Sequence, residues 1–156
     1  MTQLFVDLDG VLADFDTGYE RAFGIRPSKA ADNVDWSLVR KRDGFYTDLP
    51  PMPDFDELWG FVDQLVRKPI ILTGVPAGVP EAPENKHAWV RRHIGAHVEV
   101  RCCRSSEKSL HASPGDILVD DWTKYQDLWI EAGGLWITHR SARETIDALL
   151  EMGIGL

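Results

Sequence analysis

The chain has 156 residues, 17 basic and 25 acidic side chains, a net charge of −8 and 44% hydrophobic residues. That length suits one domain with room for a sizeable insertion, and the composition excludes disordered and collagen-like classes. The acidic balance repels a polyanion at long range, which excludes a nucleic acid polymer as an expected partner.

Gln3 to Leu8 reads as a buried strand, because Leu4, Phe5, Val6 and Leu8 are apolar strand formers. Alternate side chains share a strand face, so Asp7 and Asp9 would point the same way, roughly 7 Å apart along the backbone, just before Gly10. Two such carboxylates repel unless a cation sits between them, and a hard divalent ion with oxygen ligands fits. The plainer alternative is an acidic turn after a strand. Acids at positions 7 and 9 also break the apolar core that a signal peptide would need.

Asp14 to Phe23 reads as a helix ended by Gly24, and a polar connection with Pro27 leads to a second helical piece, Trp36 to Arg42. Pro50, Pro51 and Pro53 mark a chain re-entry. From Asp54, a plausible N-cap, Phe55, Leu58, Trp59, Val62, Leu65 and Val66 follow helical spacing. Strands and helices then alternate: strand 69–72 ending at Thr73-Gly74, helix Glu84 to Ile94, strand Val98 to Cys102, and strand 116–119 ending at Asp120-Asp121. Next come a helix opened by Thr123 and Gln126 with the stripe Tyr125, Leu128, Trp129 and Ala132, a strand 135–137, and a helix opened by Ser141 and Glu144 with the stripe Ile146, Leu149 and Leu150. The adjacent Cys102 and Cys103 offer neither crosslink geometry nor metal-ligand spacing and suit a reducing, cytoplasmic setting. No apolar run approaches the ~18 residues of a membrane span, so no membrane partner is expected.

This alternation predicts an α/β fold with an open, mostly parallel five-stranded sheet, helices on both faces, and a small helical cap inserted after strand one. The expected units are a core of residues 1–14 and 69–156, and a cap of 15–68 that includes the return helix. In such sheets ligands bind outside the carboxyl ends of the strands. Asp7 and Asp9, Thr73-Gly74, Lys108 and Asp120-Asp121 all fall there or close by, a set that suits metal-assisted phosphoryl transfer. Each has a plainer alternative: a solvated loop lysine for Lys108, helix capping for the acidic pair, a local turn bond for Thr73.

Read in order, Asp7-Leu-Asp9-Gly-Val-Leu-Ala-Asp14, Ile71-Leu-Thr73-Gly74, Lys108 and Ile117-Leu-Val-Asp120-Asp121 resemble the four motifs of the haloacid dehalogenase-like hydrolase superfamily, whose core is Rossmann-like. More narrowly the chain resembles the 5'(3')-deoxyribonucleotidase family, through the Asp-Gly-Val-Leu-Ala-Asp opening, the helix Lys86-His-Ala-Trp89-Val90, and the cap exit around Gly44-Phe45-Tyr46. Two positions depart from that family: Gly74 stands where it usually has Ser, and Trp122 where it usually has Arg.

The resemblance implies that Asp7 is the nucleophile, forming an aspartyl phosphate, and that Asp9 is the acid and base. It implies that Thr73 and the Gly74 N–H hold phosphoryl oxygens, that Lys108 neutralises their charge, and that Mg²⁺ binds the Asp7 carboxylate, the Asp9 backbone carbonyl and at least one of Asp120 and Asp121. Phe15, Trp36, Phe45 and Tyr46 are candidates to stack a nucleobase, Phe15 and Phe45 foremost because they adjoin the cap hinges; the alternative is that they form the cap's own core. Lys86 is a candidate for phosphate or ribose, or else a solvated first-turn lysine. The expected activity is hydrolysis of a small phosphorylated metabolite, a nucleoside monophosphate. The alternatives are a phosphatase or phosphotransferase for a non-nucleotide ester, and a non-catalytic phosphate-binding module. Dehalogenases of the superfamily resemble the first motif without its second Asp, so Asp9 favours phosphoryl chemistry. The His93 and His97 spacing does not match a zincin, and the glycines form no Walker loop.

Overall fold

The computed structural model describes residues 1–155; Leu156, the last residue of the expected core unit, lies outside them. Strands Leu4–Val6 (β1), Ile70–Gly74 (β2), Val100–Cys103 (β3), Ile117–Asp120 (β4) and Leu135–Thr138 (β5) form one parallel sheet in the order β3-β2-β1-β4-β5. The sheet's side chains alternate between two apolar layers. Leu4, Val6, Ile71, Ile117, Val119 and Ile137 join the larger core, whereas Phe5, Leu72 and Leu118 pack with Trp129 on the opposite face. This is the expected mostly parallel, two-faced Rossmann-like sheet, with a helical insertion after strand one.

The insertion is bounded by hydrogen bonds. Helix Phe15–Phe23 (α1) starts where Asp14 accepts from the Thr17 N–H and ends at Gly24, whose φ of 79° a side chain would strain. Helix Trp36–Lys41 (α2) follows. Where the chain enters and leaves the insertion, the Asp14 N–H donates to Pro50 O (2.8 Å) and the Met52 N–H to Leu12 O (2.8 Å), so the two crossings lie side by side.

Four local expectations need correction. Helix Phe55–Val62 (α3) stops a turn early, which leaves Val66 90% exposed instead of on the buried stripe. Asp54 stands at the N-cap of α3 but makes no side-chain bond there. Its carboxylate accepts instead from the Ala142 N–H, at the start of helix Ala142–Glu151 (α6), so tertiary contact overrides the local cap. Thr123 opens a 3₁₀ turn, Thr123–Tyr125, without a side-chain cap bond, before the short helix Gln126–Glu131 (α5), and only Trp129 of its stripe is fully buried. In α6 the Ser141 hydroxyl does accept from the Glu144 N–H (3.2 Å), Ile146 and Leu149 are buried, and Leu150 faces outward.

Helix Ala82–His93 (α4) fastens insertion to core through Trp89, which is fully buried, meets Phe55 edge-on at 5.9 Å and donates its indole N–H to Leu49 O at 2.8 Å. Trp89→Ala should therefore cost about 3–5 kcal/mol in urea denaturation. Leu128→Ala, at a position that proves exposed, should stay within about 0.5 kcal/mol of the parent.

Candidate active site

β1 and β4 are neighbours in register, Val6 opposite Val119, so Asp7 and Asp120 leave the sheet side by side at its carboxyl edge. The Asp7 N–H still donates to Val119 O (2.9 Å), after which the chain coils: the Leu8 carbonyl accepts from the N–H groups of Val11, Leu12 and Ala13. Gly10 takes a φ of 82°, and a Cβ there would collide with the Asp121 carboxylate, so glycine meets both a conformational and a spatial demand.

Because of that coil the Asp7 and Asp9 side chains do not run on along one strand face as the strand geometry predicts; each carboxylate pairs with its own lysine. Lys108 lies on a 3₁₀ helix, Ser105–His111, and its Nζ donates to Asp7 Oδ1 (3.0 Å) and Asp120 Oδ2 (2.8 Å). It is only 7% exposed, so the solvated-loop reading does not hold. Lys86, on α4, is 1% exposed. Its Nζ donates to Asp9 Oδ2 (2.7 Å), Thr73 Oγ1 (2.9 Å) and Gly74 O (2.7 Å), and lies 4.6 Å from the centre of the Tyr46 ring. The solvated alternative for Lys86 is therefore wrong, and its three ammonium protons already meet protein acceptors. Asp9 Oδ1 is buried with no hydrogen-bond partner.

Asp7, Asp120 and Asp121 each bring one carboxylate oxygen into a set whose members all lie within 4.8 Å of one another. Three hard oxygen donors at that spacing fit a divalent cation, and Gly10 keeps clear the space a Cβ would take from Asp121. Asp120 also accepts from the Trp122 N–H (2.9 Å), while Asp121 and its carbonyl accept from Lys29 of the insertion (3.0 and 2.8 Å). Burial pushes the Asp7 carboxyl well above the ordinary range, and the Asp120 charge adds to this against the pull of Lys108. Burial likewise raises Asp121, with Lys29 opposing. For Lys108 burial works to lower the pKa, but Asp7 and Asp120 overcome it and the net shift is upward.

The aromatic candidates separate. Phe45 is 3% exposed, with ring centres 5.5 Å from Phe15, 5.8 Å from Phe23 and 5.2 Å from Tyr46, so it belongs to the insertion's own core. Phe15 is half-buried in the same cluster. Trp36, 5.9 Å from Phe15, is 42% exposed and offers the most open ring, contrary to the order the hinges suggest. Two contributors, Lys29 and Ser105, escape sequence reasoning, while Tyr46, one of the cap aromatics, is buried rather than open to a base. Lys29 reaches Asp121 over 92 positions with no local signal. Tyr46 covers Lys86. Ser105 fills the space beside Gly74.

A parallel sheet whose carboxyl edge carries the Asp7, Asp120 and Asp121 cluster, with a helical insertion after its first strand, is a haloacid dehalogenase-like hydrolase fold. The crystal structure of a HAD family hydrolase from Deinococcus radiodurans R1 superposes with a TM-score of 0.58 and 11% identity over 99% of this chain and 97% of that one. L-2-haloacid dehalogenase from Xanthobacter autotrophicus gives 0.51 and 14% over 100% and 85%. In sequence, the chain is distantly homologous to 5'(3')-deoxyribonucleotidases: it is 28% identical to the cytosolic type of Homo sapiens over 76% of this chain and 70% of that protein. No family model matches the chain. No described helix is long and apolar enough to cross a membrane.

The raised Asp7 carboxyl has a consequence for stability. A group protonated more readily in the folded state favours folding below its unfolded pKa, about 3.9, and loses that contribution as pH rises through the folded value. In EDTA, Asp7→Asn should therefore melt higher than the parent at pH 7, by about 2–4 °C for each kcal/mol of relief. The difference should close near pH 4, a comparison that thermal unfolding at the two pH values makes directly.

Proposed function

We propose that the protein is a Mg²⁺-dependent phosphatase for a small phosphate monoester, with a nucleoside monophosphate as the leading substrate class. The observation that carries this reading is the Asp7, Asp120 and Asp121 cluster, bridged from one side by buried Lys108. Asp7, Asp120 and Asp121 would hold the cation, together with the Asp9 carbonyl. Mg²⁺ supplies positive charge against the phosphoryl oxygens when bound.

The chain's own residues carry the steps. Lys108 holds Asp7 Oδ1, which leaves the other Asp7 oxygen to attack phosphorus. As that bond forms the ester P–O bond breaks, and Asp9 gives its proton to the departing alkoxide. In the second half Asp9 takes a proton from water as the water oxygen attacks phosphorus. The P–O bond to Asp7 then breaks, releasing phosphate and restoring the carboxylate. Lys86 fixes Asp9 Oδ2, so the proton moves at the unpartnered Oδ1. Thr73, tied to Lys86, and the Gly74 backbone border the phosphoryl position, and Lys108 offsets its charge.

Support for the nucleotide class comes from the similarity to the human deoxyribonucleotidase, and for phosphate chemistry from the Deinococcus structure, which has bound phosphate and sodium. Burial of Phe45 favours a second reading, a non-nucleotide phosphate ester, since it leaves Trp36 as the open aromatic ring near the cap. Turnover of an aryl phosphate with Mg²⁺, none in EDTA, and loss to background in Asp7→Asn with the fold intact by circular dichroism are the expected results. Full activity in that variant overturns the mechanism. A panel of nucleoside monophosphates and sugar phosphates separates the two substrate readings by kcat/KM.

A further inference from the structure

Gly74 is the last residue of β2, and it does not have the positive φ that makes glycine necessary elsewhere in the chain. Its lack of a side chain therefore answers to space. A Cβ built on Gly74 would land on the Ser105 hydroxyl, 3.2 Å from Ser105 Cβ and 3.4 Å from its Cα, so it would turn the hydroxyl out of its place and still leave a tight contact with the Ser105 Cβ. Ser105 opens the 3₁₀ helix that carries Lys108, and in a 3₁₀ helix residues three apart eclipse, so both side chains lie on one face. The Lys108 ammonium is on Asp7, while the Ser105 hydroxyl makes no protein hydrogen bond among the described residues.

From this geometry we infer that Ser105 is a substrate-binding residue: its hydroxyl donates to a phosphoryl oxygen of the ester held at Asp7, and Gly74 is glycine to admit it. The inference rests on the phosphatase reading and deepens it. The donor beside the end of β2 comes from the turn after β3, and so moves with the lysine that neutralises the same phosphoryl group. The Ser105 hydroxyl in this position and a side chain at position 74 compete for one space.

Calorimetric titration of the Mg²⁺-loaded full chain with inorganic phosphate tests this. Ser105→Ala should weaken binding about ten- to a hundredfold, the usual worth of a hydrogen bond to a charged group, with an unchanged melting temperature, and Ser105→Thr should keep it. Gly74→Ser should weaken binding by crowding Ser105, and the exchange Gly74→Ser/Ser105→Gly should bring it back to within about threefold of the parent. Binding in Ser105→Ala within about twofold of a parent that hydrolyses aryl phosphate overturns this inference alone. A parent that neither binds phosphate nor hydrolyses the ester overturns the phosphatase reading and this inference with it.

Discussion

The carboxyl edge of the sheet depends on one buried positive charge. Lys108 stands between Asp7 and Asp120, two carboxylates that β1 and β4 deliver to adjacent positions in a nearly water-free setting. Taking Lys108 from between them would leave two buried carboxylates uncompensated, and breaking a buried pair in that way typically costs about 3–5 kcal/mol. Set against a whole-domain stability of about 5–15 kcal/mol, that is a large share. The folded state therefore tolerates this acid cluster only while the 3₁₀ helix after β3 presents its lysine.

The geometry follows from topology and from one local coil. Parallel pairing fixes Asp7 against the β4 end, and the convergence of three N–H groups on the Leu8 carbonyl turns Asp9 away from the strand direction. Had the strand run on, the two carboxylates would face each other's field on one surface. Instead Asp9 is carried toward α4 and meets Lys86, whose remaining donors close on Thr73 and on the β2 carbonyl. One end of the β2 strand is thereby tied to the Asp9 carboxylate, which makes the position of Asp9 a property of the sheet as well as of its own turn.

Much of this was legible in the sequence because the signals were local. Apolar runs ended by Asp7, Thr73 and Asp120 marked strand ends, and a parallel sheet gathers its strand ends at one edge. Asp14 and Gly24 bounded α1 by capping chemistry that needs only a few residues. What stayed hidden depended on tertiary contact. Asp54 has the composition of an N-cap for α3 yet serves α6. Lys86 sits in a helix as polar as a surface helix, and nothing in its spacing announces that its ammonium is interior. Ser105 is a common residue in a turn, and its relation to Gly74 exists only in space. Val66 and Leu150 followed the apolar period past the point where a helix still faced the core.

The three lysines around the acid cluster differ in how firmly they are held, and this bears on how the cluster can accept a cation. Lys108 and Lys86 are interior, and water cannot replace their partners. Lys29 is 63% exposed and belongs to the insertion, and a pair of that kind contributes about 0–1 kcal/mol. Four carboxylates and three ammonium groups leave the edge short of positive charge, and the deficit falls at Asp121, where the compensating lysine is the weakest of the three. A divalent ion entering beside Asp7 and Asp120 can take that oxygen at little cost to the fold, since only the exposed lysine must yield. The insertion and such a cation would thus meet at one carboxylate, whereas the buried pairs at Asp7 and Asp9 are already in place.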